Sequence, residues 1–404
     1  MNLWEILKTS KGLPPPDLET LLFARKISGQ AVGGSTLKTL TASGYPCVLE
    51  GSTGMPVLDY KIYGNSVQDG TPSPENPIEV QSVGELVTEG EFSGKYVIPV
   101  VVSGKNLINP QTTINGYRLG SDGNLFRENS YTTTDFIKVI PSKFYTRNIG
   151  FTVTNPICEY DANKTFIRRV TNGTDIMLSP DAHYVRTAFN SDYLSNIQLE
   201  LGTESTAYEP YHEPVTTNIY LDEPLRKIGD YADVIDFERG VVERNIKKVV
   251  FDGSEEFKNQ NSIYDSEIKT MLCNTEFIDA LEGNYILSSH FTKIYNAQNA
   301  QAKPGTFSKN SLEKYKNYTY YNISNKELNV VQSDSTITKV SAFRSYLSKQ
   351  YDVGTPVTAY YALADPTIEP ISIPNIPTFD GTTVISTDAQ IQPSNMEIKF
   401  KARK

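Results

Sequence analysis

Hydrophobic and polar positions along this chain alternate over short runs, and long helical stripes are scarce. The last apolar run is the cleanest case. Met396, Ile398 and Phe400 fall on one side of an extended chain and Glu397, Lys399 and Lys401 on the other, the period of two of a half-buried strand. Residues 95–102 are β-prone, with Pro99 favouring an edge or a bulge. Runs at 131–140, 148–153, 285–287, 327–331 and 357–363 also predict strands. Residues 218–237 and 241–251, joined by a turn at Glu238, Arg239 and Gly240, read as a hairpin. Helical spacing is confined to a few places. Leu3, Ile6 and Leu7 share one face, and beyond Pro14, Pro15 and Pro16 the acid Asp17 can cap a helix carrying Leu18, Leu21 and Leu22. Helices this short do not fold alone, so they dock either on the protein's own first domain or on a partner. Residues 275–281 and 341–348 predict two more, the second with Phe343, Tyr346 and Leu347 on one face.

Composition sharpens this into a fold class. With 23 prolines, 26 glycines and 25 tyrosines in 404 residues, the chain is turn-rich and helix-poor, and its length suggests two to four domains. The expected class is mostly β and multi-domain, with β-sandwich modules behind short N-terminal helices. A net charge of −9 argues against a nucleic-acid partner, which needs clustered Lys and Arg. Cys47, Cys158 and Cys273 have no short spacing, so neither a disulfide framework nor a zinc site is indicated. The first residues lack the basic start and apolar run of a signal peptide, and no run is long enough to cross a membrane as a helix. Synthesis in a bacterial cytoplasm is the expectation.

Residues 61–84 concentrate turn chemistry. Gly64 and Gly70 permit positive φ, while Pro72, Pro74 and Pro77 fix φ near −65°. The segment reads as strand, rigid turn and strand: a stiff surface connection.

Catalytic motifs are missing. There is no nucleophile elbow, Walker loop, His-Glu-x-x-His or dinucleotide fingerprint, and His183, His212 and His290 are far apart in sequence. The expectation is a protein without enzymatic activity and without a required cofactor. Asp122 with Asn124 could hold Ca²⁺ as a hard oxygen site, although a plain turn explains the same residues. Saccharide binding fits better, because a sugar's C–H face suits an aromatic platform beside polar groups. Among the aromatic residues of 104–213 (Phe126, Phe136 and Tyr193 included), the candidates are Tyr117, Tyr131, Tyr160 and Tyr184. Tyr208 and Tyr211 are assigned to a structural clasp.

Several segments carry a family resemblance. Lys61-Ile62-Tyr63-Gly64, followed by Gly70-Thr71-Pro72-Ser73-Pro74 and Pro77-Ile78, resembles tail proteins of phages and prophages infecting Gram-positive bacteria. So do Leu221 to Asp236 with Gly240 to Arg244, and residues 353–398. Lys105-Asn106-Leu107, with Asn196-Ile197-Gln198-Leu199-Glu200 and Tyr208-Glu209-Pro210-Tyr211, resembles the first and last strands of jelly-roll, carbohydrate-binding-module-like domains of such proteins. The resemblance implies a virion protein of the tail tip or baseplate. It would attach to other tail proteins through its N-terminal segment, contact host cell-wall saccharide or scaffold another adhesin, and assemble as a homo-oligomer, trimer or hexamer. The rival reading is a bacterial carbohydrate-active enzyme or surface lectin. The expected organisation is a helical attachment segment (1–27), a small β domain (28–103), a jelly-roll domain (104–213), a β domain formed by 214–251 plus 353–404, and a β-rich sandwich-like unit inserted at 252–352.

Overall fold

The computed structural model describes residues 29–30, 36–39, 47–50, 60–259, 269–274, 285–293, 301–309, 318–331, 336–379, 381–387 and 389–393. The expected helices in 1–27 and 275–281 and the expected strand at 396–400 lie outside these. The fold is mostly β and multi-domain, built of largely antiparallel sheets.

Two sheets form a central sandwich. The first runs in the order Gly29–Gln30, Thr36–Thr39, Cys47–Glu50, Thr382–Thr387, Tyr96–Gly104, Val215–Leu221, with Glu85–Leu86 also on Tyr96–Gly104. The second runs Ile286–Ser288, Val357–Pro370, Val241–Phe251, Val234–Asp236, Tyr60–Tyr63, Gln390–Pro393. Alternate residues of both, including Ile62, Ile98, Val100, Val102, Ile219, Ile235, Val242 and Ile385, close one core. Pro99 lies one residue past Val100, where pairing with Thr387 ends. Its missing N–H therefore interrupts no ladder on that side.

Strands of 28–103 thus share sheets with strands of 214–251 and 353–393, and the small β domain expected at 28–103 does not stand by itself. Local alternation cannot show this, because it says which face of a strand is buried and not which strand lies beside it.

Two further units grow from this sandwich, each between the ends of an adjacent antiparallel pair. Tyr96–Gly104 pairs with Val215–Leu221, beginning at Val102 opposite Val215, and the intervening chain forms its own two-sheet sandwich. One sheet runs Phe166–Val170, Ile157–Tyr160, Tyr184–Asn190, Leu125–Thr133, Ile114–Leu119, with Ile137–Lys138 on Tyr184–Asn190. The other runs Asp175–Met177, Phe144–Arg147, Leu199–Leu201. Ile108, Tyr145, Phe151, Ile157, Val185, Phe189 and Leu199 fill the space between. The strand expected at 148–153 is displaced to Phe144–Arg147. Arg147 explains the irregular backbone that follows. Its buried guanidinium donates to the carbonyls of Ile149, Gly150, Asn155 and Ala188 at 2.8–3.2 Å and to the Thr187 hydroxyl, satisfying groups that a ladder would otherwise have paired.

The second unit lies between Val241–Phe251 and Val357–Pro370, which pair from Phe251 opposite Val357 outward. It holds a sheet in the order Lys258–Asn259, Lys269–Asn274, Thr319–Ser324, Thr306–Lys309, Thr292–Lys293, against which the helix Thr336–Asp352 packs Phe343, Tyr346 and Leu347. The strand expected at 327–331 is a one-turn helix instead, Asn325–Leu328. Ser324 caps it by accepting from the Lys326 N–H, and Asn329 ends it in the left-handed region at φ 54°. Both residues favour those cap positions.

The joints of the framework use buried polar groups. Asp233 is fully buried. One of its carboxylate oxygens accepts from the N–H groups of Asn245 and Ile246 at 2.8 and 2.9 Å, and the other accepts from Arg226 N–H at 3.0 Å. Arg244 stands 3.5 Å away and reaches on to Glu369. The two amides lie where the register of Val241–Phe251 against Val357–Pro370 shifts between Arg244 and Ile246, so the carboxylate satisfies donors that the bulge frees. Asp233 also accepts the Gly64 N–H at its carbonyl, 2.8 Å away. A Cβ on Gly64 would stand 2.4 Å from the Arg226 carbonyl oxygen, which explains glycine there at a negative φ. Asp236 binds Lys61 at 3.0 Å. Gly64→Ala is expected to cost about 3 kcal/mol by forcing these backbones apart. Asp233→Asn is expected to cost a similar amount, about 3 kcal/mol, by turning a donor toward Arg226 N–H and leaving Arg244 short of its counter-charge. Urea unfolding followed by far-UV circular dichroism measures both.

Candidate functional site

The four tyrosines expected to bind saccharide occupy different surroundings in the 104–213 sandwich. Tyr160 is buried, its hydroxyl donates to the Gly123 carbonyl at 2.7 Å, and its ring meets Phe136 and Phe166 edge-on. Burial and the neighbouring Cys158 push its hydroxyl well above the ordinary phenol range. It is a packing residue and a latch on the turn at Ser121 to Asn124. Tyr184 is half-buried against the same Phe136, with the Lys164 ammonium 5.4 Å from its ring. Lys164 also stands 4.9 Å from the Phe136 ring and Arg186 4.8 Å from it. Tyr160 and Tyr184 therefore share one aromatic group, covered by two cations.

Tyr117 and Tyr131 lie on the neighbouring strands Ile114–Leu119 and Leu125–Thr133. Tyr117 is exposed and sits opposite Arg127. Arg118 lies opposite Phe126, and its guanidinium is 4.7 Å from the Phe126 ring and 5.3 Å from the Tyr131 ring. Phe126 is itself exposed. One face of this strand pair presents the Phe126 and Tyr131 rings around a guanidinium, which suits the C–H face and hydroxyl edge of a sugar, while Tyr117, next to Arg118 along the strand, points to the other face. Arg118 was not legible as a partner of these rings. It becomes one only through the register Arg118 to Phe126 and the bulge between Arg127 and Thr132 that re-aims Tyr131.

The other sequence candidates have structural partners. Asp122 accepts from the N–H and the side-chain amide of Asn124 at 3.1 and 2.8 Å, and those bonds hold its carboxyl below the ordinary range. The pair is a self-bonded turn. Among the described residues no group of three or more His, Cys, Asp and Glu is placed to hold a metal ion. His212 stacks on Phe379 with centroids 4.6 Å apart. His290 is buried, its Nδ1 2.8 Å from the Ser289 hydroxyl, and burial pushes it down to about 4. Cys158 is buried and free, its thiol pushed up to about 12 by burial.

The clasp at the base of this sandwich rests mainly on residues other than the two tyrosines assigned to it. Asn106 donates to the carbonyls of Ile197 and Glu209, both at 3.1 Å, and accepts from Ile108 N–H. Gln198 accepts from Glu209 N–H at 2.8 Å and donates to Glu200 at 2.7 Å. Lys105 pairs with Glu209 at 2.8 Å, and Glu209 also takes the Thr382 N–H and hydroxyl from the central sandwich. Tyr208 is exposed, while the Tyr211 hydroxyl donates at 3.1 Å to Glu213, which also accepts from Asn109 of the opening segment at 3.4 Å.

Fold and site together define a mostly β protein of several sandwich units with an aromatic, cation-bearing surface on one of them. Beyond that class, no protein-family model matches the chain, and no curated protein or solved structure matches it either.

Two outcomes follow from the separation of roles. Tyr160→Phe is expected to destabilise the 104–213 unit by about 1 kcal/mol through the lost bond to Gly123, read as a lower urea midpoint. Because His290 is held neutral, the unfolded chain takes up its proton first as pH falls. Its contribution to stability is full above about 6.5 and lost toward about 4. The thermal midpoint of wild type should therefore fall across that window more steeply than that of His290→Gln.

Proposed function

We propose that this chain is a structural protein of a phage tail tip or baseplate, displayed in several copies, whose 104–213 sandwich offers a weak contact for host cell-wall saccharide. The role is scaffolding and attachment, without chemistry. The N-terminal segment would join it to neighbouring tail proteins, and its place would be the virion.

The observation that supports this reading is where the family-like segments fall. Lys61, Gly64, Asp233 and Asp236 knit the central sandwich, while Asn106, Gln198 and Glu209 fasten the 104–213 unit onto it. The resemblance thus tracks the joints of a framework that holds one module out from another, as a tail-tip component must. The surface carrying Phe126 and Tyr131, with Arg118 over both rings, is the saccharide contact of this proposal. A single shallow site of that kind binds weakly, and repetition on one particle raises the avidity.

Two measurements test the reading. Mass spectrometry of purified virions is expected to find the chain as a stoichiometric component, and its absence from them would refute the structural role. Recombinant protein presented multivalently is expected to retain cell-wall polysaccharide, with Phe126→Ala plus Tyr131→Ala weakening retention about tenfold through lost stacking while the circular dichroism spectrum is unchanged. Unchanged retention would remove this surface from the proposal.

A further inference from the structure

One face of the 104–213 sandwich gathers positive charge without acids. In the strand Ile157–Tyr160, Ile157 points into the core between the sheets, so Cys158 points away from it. Cys158 lies opposite Arg169 on one neighbouring strand and opposite Arg186 on the other. The three side chains therefore project from the same face, with the two arginines two strand spacings, about 10 Å, apart.

Arg186 is buried. Its Nε donates to the Thr134 carbonyl at 3.0 Å, and its guanidinium lies 4.8 Å from the Phe136 ring. Lys164, exposed in the turn from Asp161 to Thr165, brings its ammonium to 4.9 Å from the same ring. Arg169 donates from Nη2 to the Val153 carbonyl at 2.5 Å, while its Nε is buried with no hydrogen-bond partner. Among the described residues none of these three cations forms an ion pair. The core side of the same strands differs: there Arg168 pairs with the buried Glu159 at 2.6 Å. The acids of the adjoining loops are bonded elsewhere. Asp135 accepts the Phe136 N–H, Asp161 accepts the N–H groups of Asn163 and Thr165, and Asp122 holds Asn124. A buried cation without a counter-charge is costly, and like charges on one face repel. With a net charge of −9 the chain is not short of acids, so their absence from this face is a property of the site.

We propose that this face is an anion-binding site, at which Arg169, Arg186 and Lys164 take the phosphate or carboxylate groups of an acidic glycan. Guanidinium groups suit either oxyanion, and the half-buried rings of Phe136 and Tyr184 beside them offer an apolar surface to the carbon skeleton. The site uses none of the residues of the Phe126 and Tyr131 contact and does not rest on it.

Isothermal titration calorimetry of the full chain tests this, with poly(glycerol phosphate), polygalacturonate and neutral dextran as probes. The protein carries Phe126→Ala plus Tyr131→Ala, so that the stacking contact, whether it binds or not, is removed from the readout. At least one acidic polymer is expected to bind and dextran is not. Raising salt from about 0.05 M to about 0.3 M should weaken binding about tenfold through screening. Lys164→Glu, an exposed change that leaves the core untouched, should weaken it about tenfold as well, and Arg169→Gln should weaken it in the same direction. Binding of the phosphate polymer alone would assign a phosphodiester ligand and binding of polygalacturonate alone a uronate, either one supporting the site. No binding of either acidic polymer, equal binding of dextran, indifference to salt, or unchanged affinity in both charge variants would each overturn it.

Discussion

The buried carboxylate of Asp233 is the constraint on which the central sandwich depends. It closes a register break in the longest strand pair, holds Arg244 in place, and, through its own carbonyl, fixes Gly64 and hence the strand Tyr60–Tyr63. A buried charge is expensive unless every oxygen has a donor, and here three backbone N–H groups and a guanidinium supply them. The same requirement leaves little freedom in how three distant stretches of chain come together, so the residue specifies an arrangement as well as contributing to stability.

With that framework fixed, the rest of the chain is added in modules. The 104–213 and 252–352 units each leave and re-enter the central sandwich at the ends of adjacent antiparallel strands, Val102 opposite Val215 and Phe251 opposite Val357. Chain ends held at strand spacing can accept a whole inserted domain without disturbing the pairing beneath it. The clasp of Asn106, Gln198 and Glu209, tied to Thr382, then restrains one module where it meets the sandwich.

The proline-rich stretch has a different job from the one its sequence suggests. Three prolines in six residues make it stiff, but its contacts run to Ser288, Ser289 and Thr292 and not toward the 104–213 unit. Pro72 is buried, and Pro74 stands where a Cβ on Gly305 would meet it at 3.1 Å. The segment is a strap over the second module and not a free surface connection.

The sequence by itself determined what depends on neighbours along the chain. β-Propensity marked strands such as residues 95–102, and the turn at Gly240, φ 64°, marked the hairpin of Val234–Asp236 with Val241–Phe251. Aromatic spacing marked one face of the helix Thr336–Asp352. It also named the tyrosines, but not which of them are spoken for: Tyr160 is committed by a bond to Gly123, 37 positions away. Only the tertiary structure decided that 28–103 is no domain of its own, that Arg118 meets Phe126 and Tyr131, and that Gln68 reaches Ser288. Those are relations between residues far apart in sequence, set by sheet order and register. A strand's alternation is the same whichever strand lies beside it, so pairing was settled only when the buried polar groups of the whole fold had found their partners.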